Sequence, residues 1–394
     1  MTKKTAAILL LVGAAVALFT WAATRQGTLV NTDMHAVDQS AYTDYAKELA
    51  RTNFDYVGRR NRMPVYPGLM ALFHRDGMSD EAFFRRGKHV GIVLALAMSP
   101  LVFLVFRRVA RPLDAGIATL VAMFAVFAYK APYFQADILF YGVGLLLFYL
   151  LVTLIRRPEW RTAALAGVTA GVGHLIKASV LPTLLLATPL LIIRGMTRGQ
   201  NDEAGPDSAS LRQPRRVLHN AACALVLLGC FLVVVFPYIR TSKERFGRYF
   251  YNVNSTFYMW YDSWDEAERG TKAHGDRDGW PNMPADQIPS FRKYVAEHSL
   301  RSMAGRVVGG LRTLWHRVTA SYEYAEFVAV YLIALLLLFG QNWRRSRLAL
   351  SGFHPCVTLF VVGYFGGYTL LYAWYTPIGV GNRFELSLFL PSCW

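Results

Sequence analysis

Long apolar runs recur along this chain, and short segments rich in arginine separate them. A helix needs about 20 predominantly apolar residues, with a lower limit near 17, to cross a bilayer. With 54% hydrophobic and 17% charged residues, against roughly 25% charged in soluble domains, the chain is predicted to be an integral membrane protein. The runs cover residues 5–23, 90–106, 113–128, 138–155, 162–176, 180–193, 217–238, 327–340 and 356–375. A tenth begins at 384 and is not complete at 394. The prediction is a single all-α polytopic membrane domain over 1–394, with about nine or ten transmembrane helices.

The positive charge lies in the short loops and so predicts the topology. Lysine and arginine mark the cytoplasmic side of a membrane protein, and the basic segments 3–4, 107–111, 156–161, 194–216 and 344–347 all fall on one side. The net charge of +16 then reflects orientation and anionic lipid head groups, and no nucleic-acid partner is expected. We expect a retained N-terminal signal-anchor helix with its N-terminus in the cytoplasm, because its apolar run exceeds a signal-peptide core.

This topology places two long polar segments on the extracytoplasmic side. They are the first loop, 24–88, and the second large loop, 239–326, while 198–216 is a cytoplasmic linker. In the first loop Tyr42, Tyr45 and Leu49 recur at helical spacing, which predicts an interfacial helix with one apolar face. Asp38 opens that helix and is either its N-cap or a catalytic carboxylate. Asp33 and Asp44 compete for the catalytic role.

A proline-rich turn follows in the same loop. Residues 62–67 are predicted to be extended or turn-like, because proline disfavours helix in the residue before it. The segment is either a rigid return to the membrane surface or a loop that presents Arg62 and Tyr66 beside Asp38.

Further ionisable residues lie at the extracytoplasmic mouths of apolar runs. Asp137 opens one run and is either a helix cap or a site residue. Lys177, with His174 one turn before it, lies in a tight turn between two apolar runs. Lys177 and Arg383 either extend their charged ends to the membrane interface or belong to a functional site. A functional role is the default interpretation of an ionisable residue at membrane depth. A lipid phosphate is a natural counter-ion for Lys177.

These clusters together resemble the GT-C superfamily of membrane glycosyltransferases, nearest to the protein O-mannosyltransferases and the lipid A aminoarabinose transferases. The resemblance covers most of the chain in order and rests on several short motifs. The matching residues are Asp38 with Tyr42, Tyr45 and Ala46; Arg62, Pro64, Tyr66 and Pro67; Asp137; Gly167, Gly171, Leu175 and Lys177; and Arg383 with Phe384. One departure is that the common Asp-Glu pair of the family is Asp38-Gln39 here.

The resemblance implies transfer of a sugar from a polyprenyl-phosphate donor to an acceptor hydroxyl on the extracytoplasmic face of a multi-pass plasma membrane, the bacterial inner membrane. Asp38 is then the general base, with inversion at the anomeric carbon. The acceptor is a glycan, a lipid or a protein. The implied donor phosphate ligands are Lys177, Arg383 and Arg62. The implied substrate-binding residues are Asp137, Tyr42, Tyr66 and His174.

The implied cations would stabilise the transition state, because phosphate oxygens gain negative charge as the sugar leaves. We expect no cofactor and find no convincing metal ligand set in the sequence, although some GT-C members use a divalent ion. Two alternatives remain open at this level: a flippase or transporter of lipid-linked sugars, and a catalytically inactive scaffold of the cell envelope.

Overall fold

A computed structural model describes residues 2–58, 60–197, 213–275, 281–321, 354–379 and 386–393. Every regular element in these ranges is helical, which confirms the predicted all-α class. The helices of seven or more residues in these ranges are α1 Lys3–Leu29, α2 Gln39–Arg51, α3 Val65–Ala71, α4 Asp80–Phe106, α5 Pro112–Lys130, α6 Asp137–Arg156, α7 Trp160–Ile176, α8 Leu181–Met196, α9 Gln213–Phe246, α10 Phe291–Glu297, α11 Leu300–Ser321, α12 Pro355–Gly379 and α13 Leu386–Ser392.

Seven helices in the described ranges are long and apolar enough to cross a membrane: α1, α4, α5, α6, α8 together with the turn that precedes it, α9 and α12. The apolar α7 has 17 residues, which is at the lower limit of about 17 for a span. The predicted span 327–340 lies outside the described residues. The structure therefore agrees with a polytopic membrane protein.

Two short helices in the first loop, between α1 and α4, cover the ends of the spans. Tyr42, Tyr45 and Leu49 of α2 are buried, as their spacing predicts. The expectation of an extended segment over 62–67 is wrong in its second half, because α3 begins at Val65 with Pro64 at its N-cap. Pro67 is tolerated there because the first N–H groups of a helix have no partner within it.

Close packing of α7 against α9 depends on two glycines one helical turn apart. A Cβ atom on Gly167 would collide with the carbonyl oxygen of Leu227, and one on Gly171 would press on Val234. Small residues at this spacing let helix backbones approach each other in membranes. The predicted turn after α7 is confirmed, because Lys177 is extended between α7 and the helical turn that leads into α8.

Candidate functional site

A large cavity opens where the first loop meets the ends of α7, α9 and α12. Its volume is about 1600 Å³, and Asp38, Arg62 and Lys177 all line it. These residues lie far apart in sequence, so the fold brings together the predicted carboxylate and two of the three predicted cations. The third cation, Arg383, lies outside the described residues and stays a prediction.

Asp38 stands at the start of α2 but does not cap it. Its side chain accepts no capping hydrogen bond, and its Oδ1 instead lies 2.6 Å from Arg62 Nη2. Asp38 and Val37 both have positive φ, 71° and 47°. This conformation costs about 1–3 kcal/mol per non-glycine residue and persists only where neighbouring contacts enforce it. The backbone thus turns the carboxylate away from the helix end and towards the cavity.

The contacts that enforce this turn come from the segment just before α6. The Val37 carbonyl accepts a hydrogen bond from the buried Gln135 amide. Gln39 is completely buried, exchanges two amide hydrogen bonds of 2.9 and 2.8 Å with Asn31, and accepts one from Phe134 N at 2.9 Å. Both neighbours of Asp38 are therefore anchored to the same segment.

Two arginines of the first loop point in different directions. Arg62 lines the cavity, and its Nη1 donates to the Asn61 carbonyl at 2.7 Å. Arg60 is buried beneath the loop, where its guanidinium lies 4.0 Å from the centre of the Tyr238 ring and donates to Thr241 Oγ1 at 2.6 Å. Burial lowers the pKa of Arg60. Arg62 thus faces substrate space, and Arg60 fastens the loop to α9.

Lys177 and Asp137 form an ion pair at the mouth of the bundle. Lys177 Nζ lies 2.9 Å from Asp137 Oδ1, and the side chains are only 17% and 5% exposed. Lys177 faces the cavity, while Asp137 lies behind it and is absent from the lining. Asp137 therefore orients the lysine.

The remaining predicted substrate residues differ in position. His174 and Tyr42 line the cavity although both are buried. The Nδ1 atom of His174 is buried and has no hydrogen-bond partner among the described residues. Tyr66 is absent from the lining and is fully buried, with its ring 5.4 Å from that of Tyr42. It therefore supports Tyr42 from behind.

Sequence reasoning missed a hydrogen-bonded path that connects the site to α12. Asn254 Nδ2 donates to the Asn61 carbonyl at 3.3 Å, and Tyr375 OH donates to Asn254 Oδ1 at 3.2 Å. The Asn61 carbonyl also accepts from Arg62, so the path ends at the Asp38 ion pair. No local pattern predicts these hydrogen bonds, because the asparagines lie in polar loops and the tyrosine lies in an apolar helix.

The described residues contain no group of three or more His, Cys, Asp or Glu side chains that could hold a metal ion. The expectation that no cofactor is needed is not tested by this observation and stays a prediction.

The fold and the cavity define an integral membrane protein of the polytopic, all-helical class. Residues 80–206 match the family of dolichyl-phosphate-mannose-protein mannosyltransferases, which belongs to the GT-C superfamily. The resemblance predicted from the sequence is thereby confirmed, and at the coarse level the match supports a membrane glycosyltransferase that uses polyprenyl-phosphate sugar donors. No curated protein and no solved structure matches the chain.

The matched segment contains only part of the site. Asp137, His174 and Lys177 lie within it, whereas Asp38 and Arg62 precede it. The roles of all five residues stay predictions, because a match to a family does not test individual side chains.

Proposed function

We propose that this protein transfers a sugar from a polyprenyl-phosphate donor to an acceptor hydroxyl in the cavity of about 1600 Å³. The proposal places this cavity on the extracytoplasmic face of the plasma membrane, the bacterial inner membrane, with the N-terminus in the cytoplasm. The observation that carries it is the convergence of Asp38, Arg62 and Lys177 on one cavity. A carboxylate and two cations are the groups that a direct displacement at a phosphate-linked sugar needs.

Asp38 acts as the general base in this proposal. Its carboxylate accepts the proton of the acceptor hydroxyl while the acceptor oxygen attacks the anomeric carbon. The bond from that carbon to the phosphate oxygen breaks, and polyprenyl phosphate leaves with the electron pair. One displacement inverts the anomeric centre. The nearby Arg62 guanidinium pairs with this carboxylate and holds it at the cavity.

Lys177 and Arg62 hold the donor phosphate, with Arg383 proposed as a third cation. The leaving phosphate gains negative charge as its bond to the sugar breaks, so cations stabilise the transition state more than the bound donor. Asp137 holds Lys177 through the 2.9 Å ion pair and positions its ammonium group in advance. The scheme involves no metal ion.

The polar and aromatic lining is proposed to bind the sugar and the acceptor. His174 lines the cavity and is proposed to contact the sugar. Tyr42 offers a ring that Tyr66 and the Arg62 guanidinium hold in place from two sides. The acceptor is a glycan, a lipid or a protein, and the transfer assay described below would identify which.

The test is sugar transfer by the full chain reconstituted in lipid nanodiscs, with a labelled polyprenyl-phosphate sugar as donor. Asp38→Asn is expected to bind the lipid donor but to lose transfer by about 10²–10⁴-fold, the usual contribution of a general base. Asp44→Asn is the matched control, because Asp44 also lines the cavity from α2 but pairs with Lys47 at 3.1 Å.

Full transfer by Asp38→Asn, or loss of transfer in Asp44→Asn alone, would overturn the assignment of Asp38. Movement of labelled donor across vesicles without a new glycosidic bond would favour a flippase. Absence of donor binding by the wild-type chain would favour an inactive scaffold.

A further inference from the structure

A second ionic cluster lies in the second extracytoplasmic loop, and the proposed chemistry does not use it. Asp262 is at its centre. Its Oδ1 accepts hydrogen bonds from Tyr294 OH at 2.7 Å and from Arg306 Nη1 at 2.9 Å, and its Oδ2 lies 2.7 Å from His298 Nε2. One carboxylate thus joins the loop, α10 and α11.

Arg306 connects this cluster to the wall of the cavity through hydrogen bonds. Its Nε donates to the Trp374 carbonyl at 2.9 Å, and its Nη2 donates to the Met259 carbonyl at 3.3 Å. Trp374 Nε1 donates to the same Met259 carbonyl at 2.9 Å. Met259 and Tyr375, the neighbour of Trp374, both line the cavity. The planar guanidinium therefore holds two parts of the wall in one fixed geometry.

His298 is placed to respond to pH. Its Nδ1 lies 2.9 Å from the Tyr294 carbonyl oxygen and its Nε2 lies 2.7 Å from Asp262. Both neighbours are acceptors, and only the protonated imidazole donates from both nitrogens. Burial alone lowers the pKa of His298, but these two contacts outweigh it and raise the pKa above its ordinary value.

Among the described residues, two glutamates and a lysine lie close to the pair formed by His298 and Asp262. Glu297 adds a further negative charge near His298, while Lys293 lies 3.7 Å from Glu297. On the other side, Glu266 accepts a hydrogen bond from the Asp262 backbone N–H. Arg306 is the cation that shares the Asp262 carboxylate with His298.

We infer that Asp262, His298 and Arg306 form a proton-dependent clamp that positions the Met259 and Trp374 wall of the substrate cavity. Protonated His298 fixes Asp262, Asp262 fixes Arg306, and Arg306 holds the two carbonyl groups of the wall. The wall in turn supports Arg62 through Tyr375, Asn254 and Asn61. The consequence for substrate binding rests on the proposed function, whereas the clamp itself does not.

The test compares His298→Gln with the wild-type chain in nanodiscs by hydrogen–deuterium exchange. Glutamine keeps a neutral donor towards Asp262 but does not titrate. The peptides that contain Met259 and Trp374 are expected to exchange about two- to fivefold faster in the variant at about pH 5.5, the size of effect expected of an ion pair near the surface. At about pH 9, where a histidine with a raised pKa has lost its proton, the two proteins are expected to exchange equally.

A matched control and an activity measurement complete the test. His274→Gln changes an exposed histidine of the same loop that contacts the Asn282 carbonyl and is expected to leave both peptides unchanged. The apparent KM for the lipid donor is expected to rise with pH in the wild type and to be flat in His298→Gln.

Equal exchange of wild type and His298→Gln at both pH values would overturn the clamp. A difference in exchange with an unchanged pH profile of KM would overturn its positioning role. A wild-type chain that transfers no sugar would overturn the proposed function, and the exchange comparison would still decide the clamp.

Discussion

Lys177 Nζ lies 2.9 Å from Asp137 Oδ1, which joins the turn after α7 to the first residue of α6. The two residues are separated by 40 positions in the chain. Removing one member of a buried ion pair leaves an uncompensated charge and costs about 3–5 kcal/mol, whereas replacing both members can be nearly neutral. This pair therefore contributes to the fold as well as to the proposed chemistry, and the two contributions can be separated.

Asp137→Asn is expected to lower the free energy of unfolding by about 3 kcal/mol, because Lys177 then remains buried without its carboxylate. The double variant Asp137→Asn/Lys177→Met should recover most of this loss and still fail to bind the donor phosphate. Thermal unfolding in detergent and a lipid-donor binding assay measure the two effects. Simple additivity of the single-variant stabilities would contradict a coupled pair.

Replacement by glutamine is expected to reduce mainly the activity at Arg62 and mainly the stability at Arg60. Arg62→Gln should reduce sugar transfer by about 10²-fold with little change in stability, because it removes a cation from the developing phosphate charge. Arg60→Gln should lower the free energy of unfolding by about 2 kcal/mol, because a desolvated cation–π contact is lost. Transfer rates normalised to folded protein distinguish them. A lower transfer rate per folded Arg60→Gln protein would contradict this distinction and would place Arg60 in the proposed active site as well.

Gly167→Ala is expected to destabilise the protein by about 1–3 kcal/mol, since overpacking forces backbones or side chains apart. The added methyl group would meet the Leu227 carbonyl of α9. Gly229→Ala on α9 is the control, because its Cβ would enter open space, and it should be neutral or stabilising by up to about 1 kcal/mol. Melting temperatures in the same detergent compare the two. Equal shifts would show that α7 and α9 are not tightly packed at Gly167.

Gln39→Glu introduces the acidic pair that is common in the GT-C superfamily, which this chain resembles. We expect it to destabilise the protein by about 1–3 kcal/mol, because a buried carboxylate at position 39 cannot donate to Asn31 Oδ1. Glu48→Gln on α2 loses only a solvent-accessible ion pair with Arg51 and should change stability by less than about 0.5 kcal/mol. Unfolding curves of both variants make the comparison. A stable and more active Gln39→Glu protein would show that position 39 takes part in catalysis.

Local patterns predicted the helices and the candidate residues. The spacing of Tyr42, Tyr45 and Leu49 predicted the buried face of α2, and the lysine between two apolar runs predicted the turn at Lys177. Asp38 shows the limit of such patterns. An aspartate at a helix start is favoured as a cap, whereas here the positive φ of Asp38 and the approach of Arg62 direct the carboxylate to the cavity.

Long-range pairing could not be predicted from local patterns. Asp262, His298 and Arg306 are ordinary polar residues of a long loop, and their association depends on how α10, α11 and α12 pack. Likewise, the resemblance singled out Arg62 for the site, but no local pattern predicted that Arg60 lies beneath the loop against Tyr238.

The size of the cavity has a kinetic consequence. A volume of about 1600 Å³ exceeds the roughly 300–1,000 Å³ of most small-molecule pockets, so a donor head group and an acceptor fit side by side. An enzyme that holds both substrates at once passes through a ternary complex, and neither product leaves before both substrates are bound. Initial-rate lines at several acceptor concentrations should then intersect, and no labelled sugar should remain attached to the chain when the acceptor is withheld.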